Sequence, residues 1–239
     1  MKILCVIPAR GGSKRLPGKN IMKILGRPLI AYPISQAIES GVFDRIVVST
    51  DDDAIAGVAS GAGAAVIRRP PELATDAAAI EDAIRHVVRE LEKNENYRPD
   101  VVTLLQANVV YRRPGLIKET VRKLAENGRY DSVITVYQVN QRPEWMKRVE
   151  GDLLIPNMNC DRYRQQELPA LYLADGAVAA IRTDVLMGTE GLRGVHRFLG
   201  AKIGCVVQDR LFSAEVDEPD DVLTAELLLE LIRRKEGRE

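Results

Sequence analysis

Short apolar runs rich in β-branched residues alternate with longer amphipathic segments along almost all of this 239-residue chain. That rhythm leaves few folds open. Residues 3–7, 45–50, 64–69, 100–106, 132–139, 176–181 and 202–207 read as strands. Residues 26–40, 51–63, 75–94, 113–128 and 220–235 read as helices. Pro28 opens the first helix, and Pro33 kinks it or marks its true first turn. Thr75 or Asp76 caps the third, whose Ile80, Ile84, Val87, Val88 and Leu91 share one face and are assigned to the core. Pro114 and Gly128 bracket the fourth, and cations fill the last turn of the fifth. Strands alternating with helices imply an α/β fold built on a mostly parallel sheet. Residues 140–174 break the rhythm: they are polar, hold the only tryptophan, Trp145, and are expected to form an inserted lid or dimer contact within a single domain.

Composition excludes several classes. No run of about 18 apolar residues is present, so no membrane-spanning helix is expected. The amino terminus runs straight into a strand pattern rather than a signal peptide. Three cysteines are odd in number and widely spaced, which fits a reducing cytoplasm; Cys5 and Cys205 lie in apolar runs and are expected as core thiols. Two histidines, His86 and His196, form no metal-like cluster with them. Thirty-four bases balance 34 acids, which argues against a nucleic-acid binder. The distribution is uneven, however. Residues 1–38 hold seven bases and no acid, leaving 27 bases against 34 acids elsewhere. A local cationic patch on a neutral protein points to a small polyanionic ligand.

Most of that patch lies in IPARGGSKRLPGKN, residues 7–20, the loop that leaves the first strand. Such loops sit at the carboxyl edge of a parallel sheet, where α/β proteins bind ligands. Glycines let backbone N–H groups approach phosphates, and Arg and Lys add charge and donors. The spacing fits neither common phosphate fingerprint: Gly12 and Gly18 have five residues between them, Asn20 follows Lys19, and G-x-G-x-x-G is absent.

The loop with its next residue, IPARGGSKRLPGKNI, resembles the nucleotide loop of the acylneuraminate cytidylyltransferases, which activate sialic acid and related nonulosonic acids as CMP-sugars using CTP. The likeness continues in order through STDD (49–52), RPPELATD (69–76), LLQ (104–106), QELPALYLADGAV (166–178) and EVDEPDDV (215–222). The resemblance implies a three-layer Rossmann-like nucleotidyltransferase fold, a homodimer, CTP and an acidic sugar as substrates, and Mg²⁺ as cofactor. It implies that Arg10 and Lys19 hold the triphosphate and act with Asp217 as the catalytic set. Ala9, Gly11, Gly12, Asn20, Arg69, Ala78 and Gln106 join them around the nucleotide, with Gly11 and Gly12 opening backbone donors. Lys14 and Arg15 either steer substrate or are simply solvated. Gln106, Gln166, Tyr172 and Asp175 are the sugar candidates, and Arg112 or Arg113 could meet a sugar carboxylate.

Glu215 and Asp217 are two residues apart, so on an extended segment both point to one face and suit a hard cation. The family usually places Asp at both positions. Asp217 or Glu218 could instead cap the last helix before Pro219. Three further departures bear on substrate: Ile80 where a small hydroxyl residue is common, ANVVYRRP (107–114) where Pro-Thr-Ser-Pro is usual, and Asp175 where Asn is usual. They keep two alternatives open: transfer of another nucleotide, such as that of GTP, to a sugar 1-phosphate, and a non-catalytic nucleotide-binding protein.

Overall fold

A computed structural model describes residues 1–162, 164–192 and 194–235. The chain opens with β1 (Ile3–Pro8), the cationic loop, and a two-residue hairpin of β2 (Lys23–Ile24) and β3 (Arg27–Pro28). Next come α1 (Ala31–Ser40), β4 (Arg45–Thr50), α2 (Asp53–Gly61) and β5 (Ala65–Arg68). The middle of the chain forms α3 (Ile80–Glu95), β6 (Val101–Leu104), α4 (Leu116–Ala125) and β7 (Ser132–Gln138). A separate antiparallel hairpin, β8 (Lys147–Glu150) and β9 (Leu153–Pro156), precedes β10 (Tyr172–Arg182), α5 (Thr183–Gly188), β11 (Ile203–Gln208) and α6 (Pro219–Lys235).

Seven strands make one sheet in the order β11-β7-β10-β6-β1-β4-β5. All pairs are parallel except those made by β10, which runs antiparallel to both β6 and β7. The two-residue period of β1 explains the three layers. Cys5 and Ile7 face a cluster with α1, α2 and α4, whereas Leu4 and Val6 face one with α3 and α5. Each fully buried Leu, Ile or Val of these clusters is worth about 1.5–3 kcal/mol relative to exposure. A third cluster packs α6 over the β2–β3 hairpin and Tyr32.

Several sequence expectations need correction. The first helix starts at Ala31, not at Pro28, which pairs with Lys23 in the small hairpin; Pro33 sits in the true first turn. Neither Thr75 nor Asp76 caps α3, whose cap is Ala79 with no side-chain hydrogen bond. Cys205 is exposed, because alternate residues of the edge strand β11 face out. Of segment 140–174, residues 172–174 already belong to β10, paired with β7. No helix among the described residues is long and apolar enough to cross a membrane.

Candidate active site

Strand β1 lies between β4 on one side and β6 on the other, so the connections leaving their carboxyl ends diverge and open a crevice. A cleft of about 470 Å³ fills it. Arg10, Lys14, Arg15 and Lys19 line it from the loop, and Arg69 with residues 78–80 from the approach to α3. Residues 106–108 after β6 line it as well, with Glu215 and Asp217 beside them.

The acidic end is held by contacts distant in sequence. Lys19 Nζ donates to Asp217 Oδ1 at 2.8 Å, across 198 positions of chain. Asn108 Nδ2 donates to the same oxygen at 3.1 Å, and Arg15 Nη2 lies 3.4 Å from Oδ2. Burial alone would push the Asp217 carboxyl up, but the hydrogen bond and charge of Lys19, with Asn108 and Arg15, outweigh it and hold the carboxyl below its ordinary range. Glu215 is different. Burial, with Asp217 and Asp175 alongside, pushes its carboxyl up to about 7, against the pull of Lys19 and a hydrogen bond from Asn108. Asn108, which sequence reading missed, therefore holds both carboxylates, and its backbone oxygen accepts from Val216 N at 2.9 Å. Val109 and Glu215 form an isolated antiparallel bridge that carries the acidic segment to the cleft. Asp217 and Glu218 both donate backbone N–H groups to Asp221 Oδ2, at 2.9 and 2.8 Å, which ties the acidic segment to the first turn of α6.

Gly176 explains how Glu215 and Gln106 pack so closely. It lies in the irregular stretch of β10 between Ala174 and Ala179, with φ at +65°. A Cβ there would sit 2.7 Å from Glu215 Oε1 and 2.8 Å from Gln106 Cδ. Two partly desolvated carboxylates, one of them with a raised pKa, fit a hard divalent cation by charge and donor type. Among the described residues no group of three or more His, Cys, Asp or Glu side chains could hold a metal, so remaining oxygens would come from phosphate or water.

The loop is built tightly. Arg10 Nη2 meets Asp76 Oδ1 at 2.7 Å and Lys14 Nζ meets Asp76 Oδ2 at 2.5 Å. The hydrogen bond from Lys14, then its charge and the contact with Arg10, keep the exposed Asp76 carboxyl low. Asn20 is buried and its Nδ2 donates to the Arg10 carbonyl at 2.9 Å, fastening the two ends of the loop together. Ala9 is buried too, with its N–H on the Ser49 carbonyl at 2.9 Å. Gly11 N–H, expected as an open donor, is taken by Asp51 Oδ1 at 3.0 Å. A Cβ on Gly11 would lie 2.7 Å from Asp52 Oδ2, so glycine is required here for packing against the STDD turn. Gly12 has open space around it. Arg69 is buried, with Nε and Nη2 on Ser49, and burial lowers its pKa from the usual arginine value.

Other expected site residues lie elsewhere. Ile80 was assigned to the core; it is 37% exposed and lines the cleft, because it is the first residue of α3, where the chain leaves the cleft wall. Gln166 and Tyr172 are exposed and do not line this cleft. Arg113 pairs with Glu119 at 2.5 Å. Arg112 is buried, its Nε on the Ala177 carbonyl at 2.6 Å and its Nη2 on the Gln106 carbonyl at 2.9 Å, so it braces the scaffold rather than meeting a sugar. Burial lowers its pKa to about 10. Asp175, expected at the sugar, is 1% exposed. It accepts hydrogen bonds from Thr135, Gln208 and, at 2.9 Å, Ala177 N. We expect Asp175→Ala to cost about 3 kcal/mol by stranding these donors. Asp175→Asn should cost less, since the amide oxygen still accepts from Ala177 N. Urea unfolding of the two variants measures the order.

A family model described as Cytidylyltransferase matches residues 4–175. The chain is 31% identical over 227 residues to an N-acylneuraminate cytidylyltransferase of Streptococcus agalactiae, covering 93% of this chain and 52% of that protein. It is 38% identical over 161 residues to a CMP-N,N'-diacetyllegionaminic acid synthase of Legionella pneumophila, covering 66% of this chain and 68% of that one. It thus spans about half the length of the first of these relatives. The solved structure of CMP:2-keto-3-deoxy-manno-octonic acid synthetase complexed with CTP superposes with a TM-score of 0.76 at 20% identity, over 97% of this chain and 100% of that one, which supports the Rossmann-like nucleotidyltransferase fold. The match to the family model over most of the chain, together with these relatives, shows that this protein belongs to the cytidylyltransferase family.

Proposed function

We propose that the protein transfers CMP from CTP to a nonulosonic, sialic-acid-like sugar and releases pyrophosphate. The observation that carries this reading is the meeting of Lys19, Asn108, Glu215 and Asp217 at one end of a cationic cleft. Its relatives act on sugars of this class by name. A sugar hydroxyl attacks the α-phosphorus, releasing its proton to solvent, as the bond to the β-phosphate oxygen breaks, and the departing pyrophosphate carries the developing charge. Such a reaction needs positioning and charge neutralisation above all. Arg10, Lys14, Arg15 and Lys19 supply the cations, and triphosphate competes with Asp76 and Asp217 for them. Residues 78–80 and Arg69 offer a rim for the base, and Gln106 faces the reacting groups. Glu215 and Asp217 would hold Mg²⁺, which when bound neutralises phosphate charge. We place the reaction in the cytoplasm, a setting that suits three free thiols.

The chain is read as a homodimer joined through the segment of β8 and β9, which exposes Val149, Leu153 and Leu154 at 71, 63 and 70%. Light scattering should then give Leu154→Asp a smaller particle mass than the parent protein, and an unchanged mass would exclude this contact.

Pyrophosphate release, measured with all four nucleoside triphosphates against nonulosonic acids and sugar 1-phosphates, tests the function. CTP with a nonulosonic acid should turn over fastest. Preference for another nucleotide would move the reading to the related transferase, a choice on which Ile80 in the rim bears directly. Binding without release under every combination would make the protein a nucleotide-binding module.

A further inference from the structure

Beyond Ile80, which opens α3 and lines the cleft, helices α3 and α4 turn polar or charged side chains to solvent, among them Arg89 and Glu92 on the first and Lys118, Glu119 and Arg122 on the second. Helix α6 is different. Its Ala225, Leu228, Leu229 and Ile232 are buried against the body of the protein, yet Leu223, Leu227 and Leu231 on the opposite side are 62, 57 and 41% exposed. A helix apolar on two opposite faces is built to be covered on both.

The charges along that outer face say what covers it. Asp220 and Arg234 stand seven residues before and after Leu227, and Leu223 and Leu231 stand four before and after it. At about 100° per residue all four lie within roughly 40° of the Leu227 direction. Thr224 and Glu230 flank the stripe with the same symmetry. Read backwards, the face therefore presents a cation where the forward reading has an acid, and leucine where it has leucine. We propose that α6 pairs antiparallel with α6 of a second copy of this chain, across a two-fold axis at Leu227. Each Leu223 then meets Leu231 of the partner subunit, Leu227 meets its own equivalent, and Asp220 faces Arg234 of the partner subunit at both ends. Such an isologous contact closes on itself. It lies on a different element from the β8–β9 hairpin. A single helix pair covers less than the roughly 800 Å² per partner of a typical stable interface, so the contact reinforces a larger assembly or forms at high concentration.

Cysteine cross-linking reads the register directly. The background is the full chain with Cys160→Ser and Cys205→Ser, which leaves only the buried Cys5. Under mild oxidation Leu227→Cys should form a disulfide-linked dimer. Leu223→Cys alone should not, because its own equivalent lies about 12 Å along the axis, beyond disulfide reach. Mixing Leu223→Cys with Leu231→Cys protein should restore the cross-link. Adding Asp220→Arg to Leu227→Cys should cut the yield several-fold, and adding Arg234→Asp to that protein should bring it back. No dimer from Leu227→Cys, equal dimer from Leu223→Cys alone, or no rescue by the charge swap would each overturn the pairing. Circular dichroism on each variant shows that the outward substitutions leave the fold in place.

Discussion

Lys19→Ala is expected to lower the rate of pyrophosphate release about 100- to 1000-fold, the range seen when one donor to developing transition-state charge is removed. Lys19 is the cation best placed for this. Its side chain is 18% exposed and lines the cleft, and its ammonium is held by Asp217 at 2.8 Å. Stability should barely change. The ion pair is partly solvated and worth about 1 kcal/mol or less to folding, and Asp217 keeps Asn108 and Arg15 when Lys19 is gone. The loss should therefore fall on turnover with the melting temperature nearly unmoved. Single-turnover kinetics beside a thermal melt separate the two, and a Lys19→Ala protein with parental turnover would remove this residue from the chemistry. Lys19→Arg should recover only part of the rate, because a planar guanidinium cannot reproduce the point charge at the same distance.

Gly176→Ala is expected to raise the Mg²⁺ concentration needed for half-maximal activity about 10- to 100-fold, the usual effect of disturbing groups that orient metal ligands. No residue of the cleft is itself replaced. The added methyl would overlap Glu215 Oε1 and the Gln106 amide, and both side chains must swing away. The backbone at φ +65° adds a steric cost of about 1–2 kcal/mol for any residue with a Cβ. A Mg²⁺ titration of activity should shift to higher concentration and a denaturant titration to slightly lower midpoint. If the midpoint falls while the Mg²⁺ titration stays put, Glu215 does not take part in holding the cation. Gly176→Asn provides a control, since Asn tolerates left-handed backbone better but keeps the clash.

How legible was this protein in its sequence? The strands and helices of the sheet were, because two-residue and 3.6-residue periods and turn residues are local signals. Ile3–Pro8 and Ala65–Arg68 lie within a residue or two of the expected runs. The cationic loop was legible for the same reason: its glycines, bases and missing acids lie within 14 residues. Roles for Lys19, Glu215 and Asp217 came from likeness to a family, and the fold brings these three side chains together. The misses share a cause. Ile80 fits the apolar stripe of its helix, yet as the helix's first residue it lines the cleft rather than the core. Asp175 reads as a polar residue in a motif, yet the irregular stretch of β10 turns it into the core toward Thr135 and Gln208. Asn108 carried no signal, because its contact with Asp217 spans 109 positions.

The sequence by itself determined the α/β class with its mostly parallel sheet and the cationic character of the first loop, since each depends on neighbours a few residues apart. Tertiary structure alone decided that β10 runs antiparallel, that its irregular stretch brings Gly176 against Glu215, and that Asp217 reaches Lys19. Strand order and long-range packing set those contacts. They rest on which buried faces fit together across the whole chain, and no local window of residues encodes that fit.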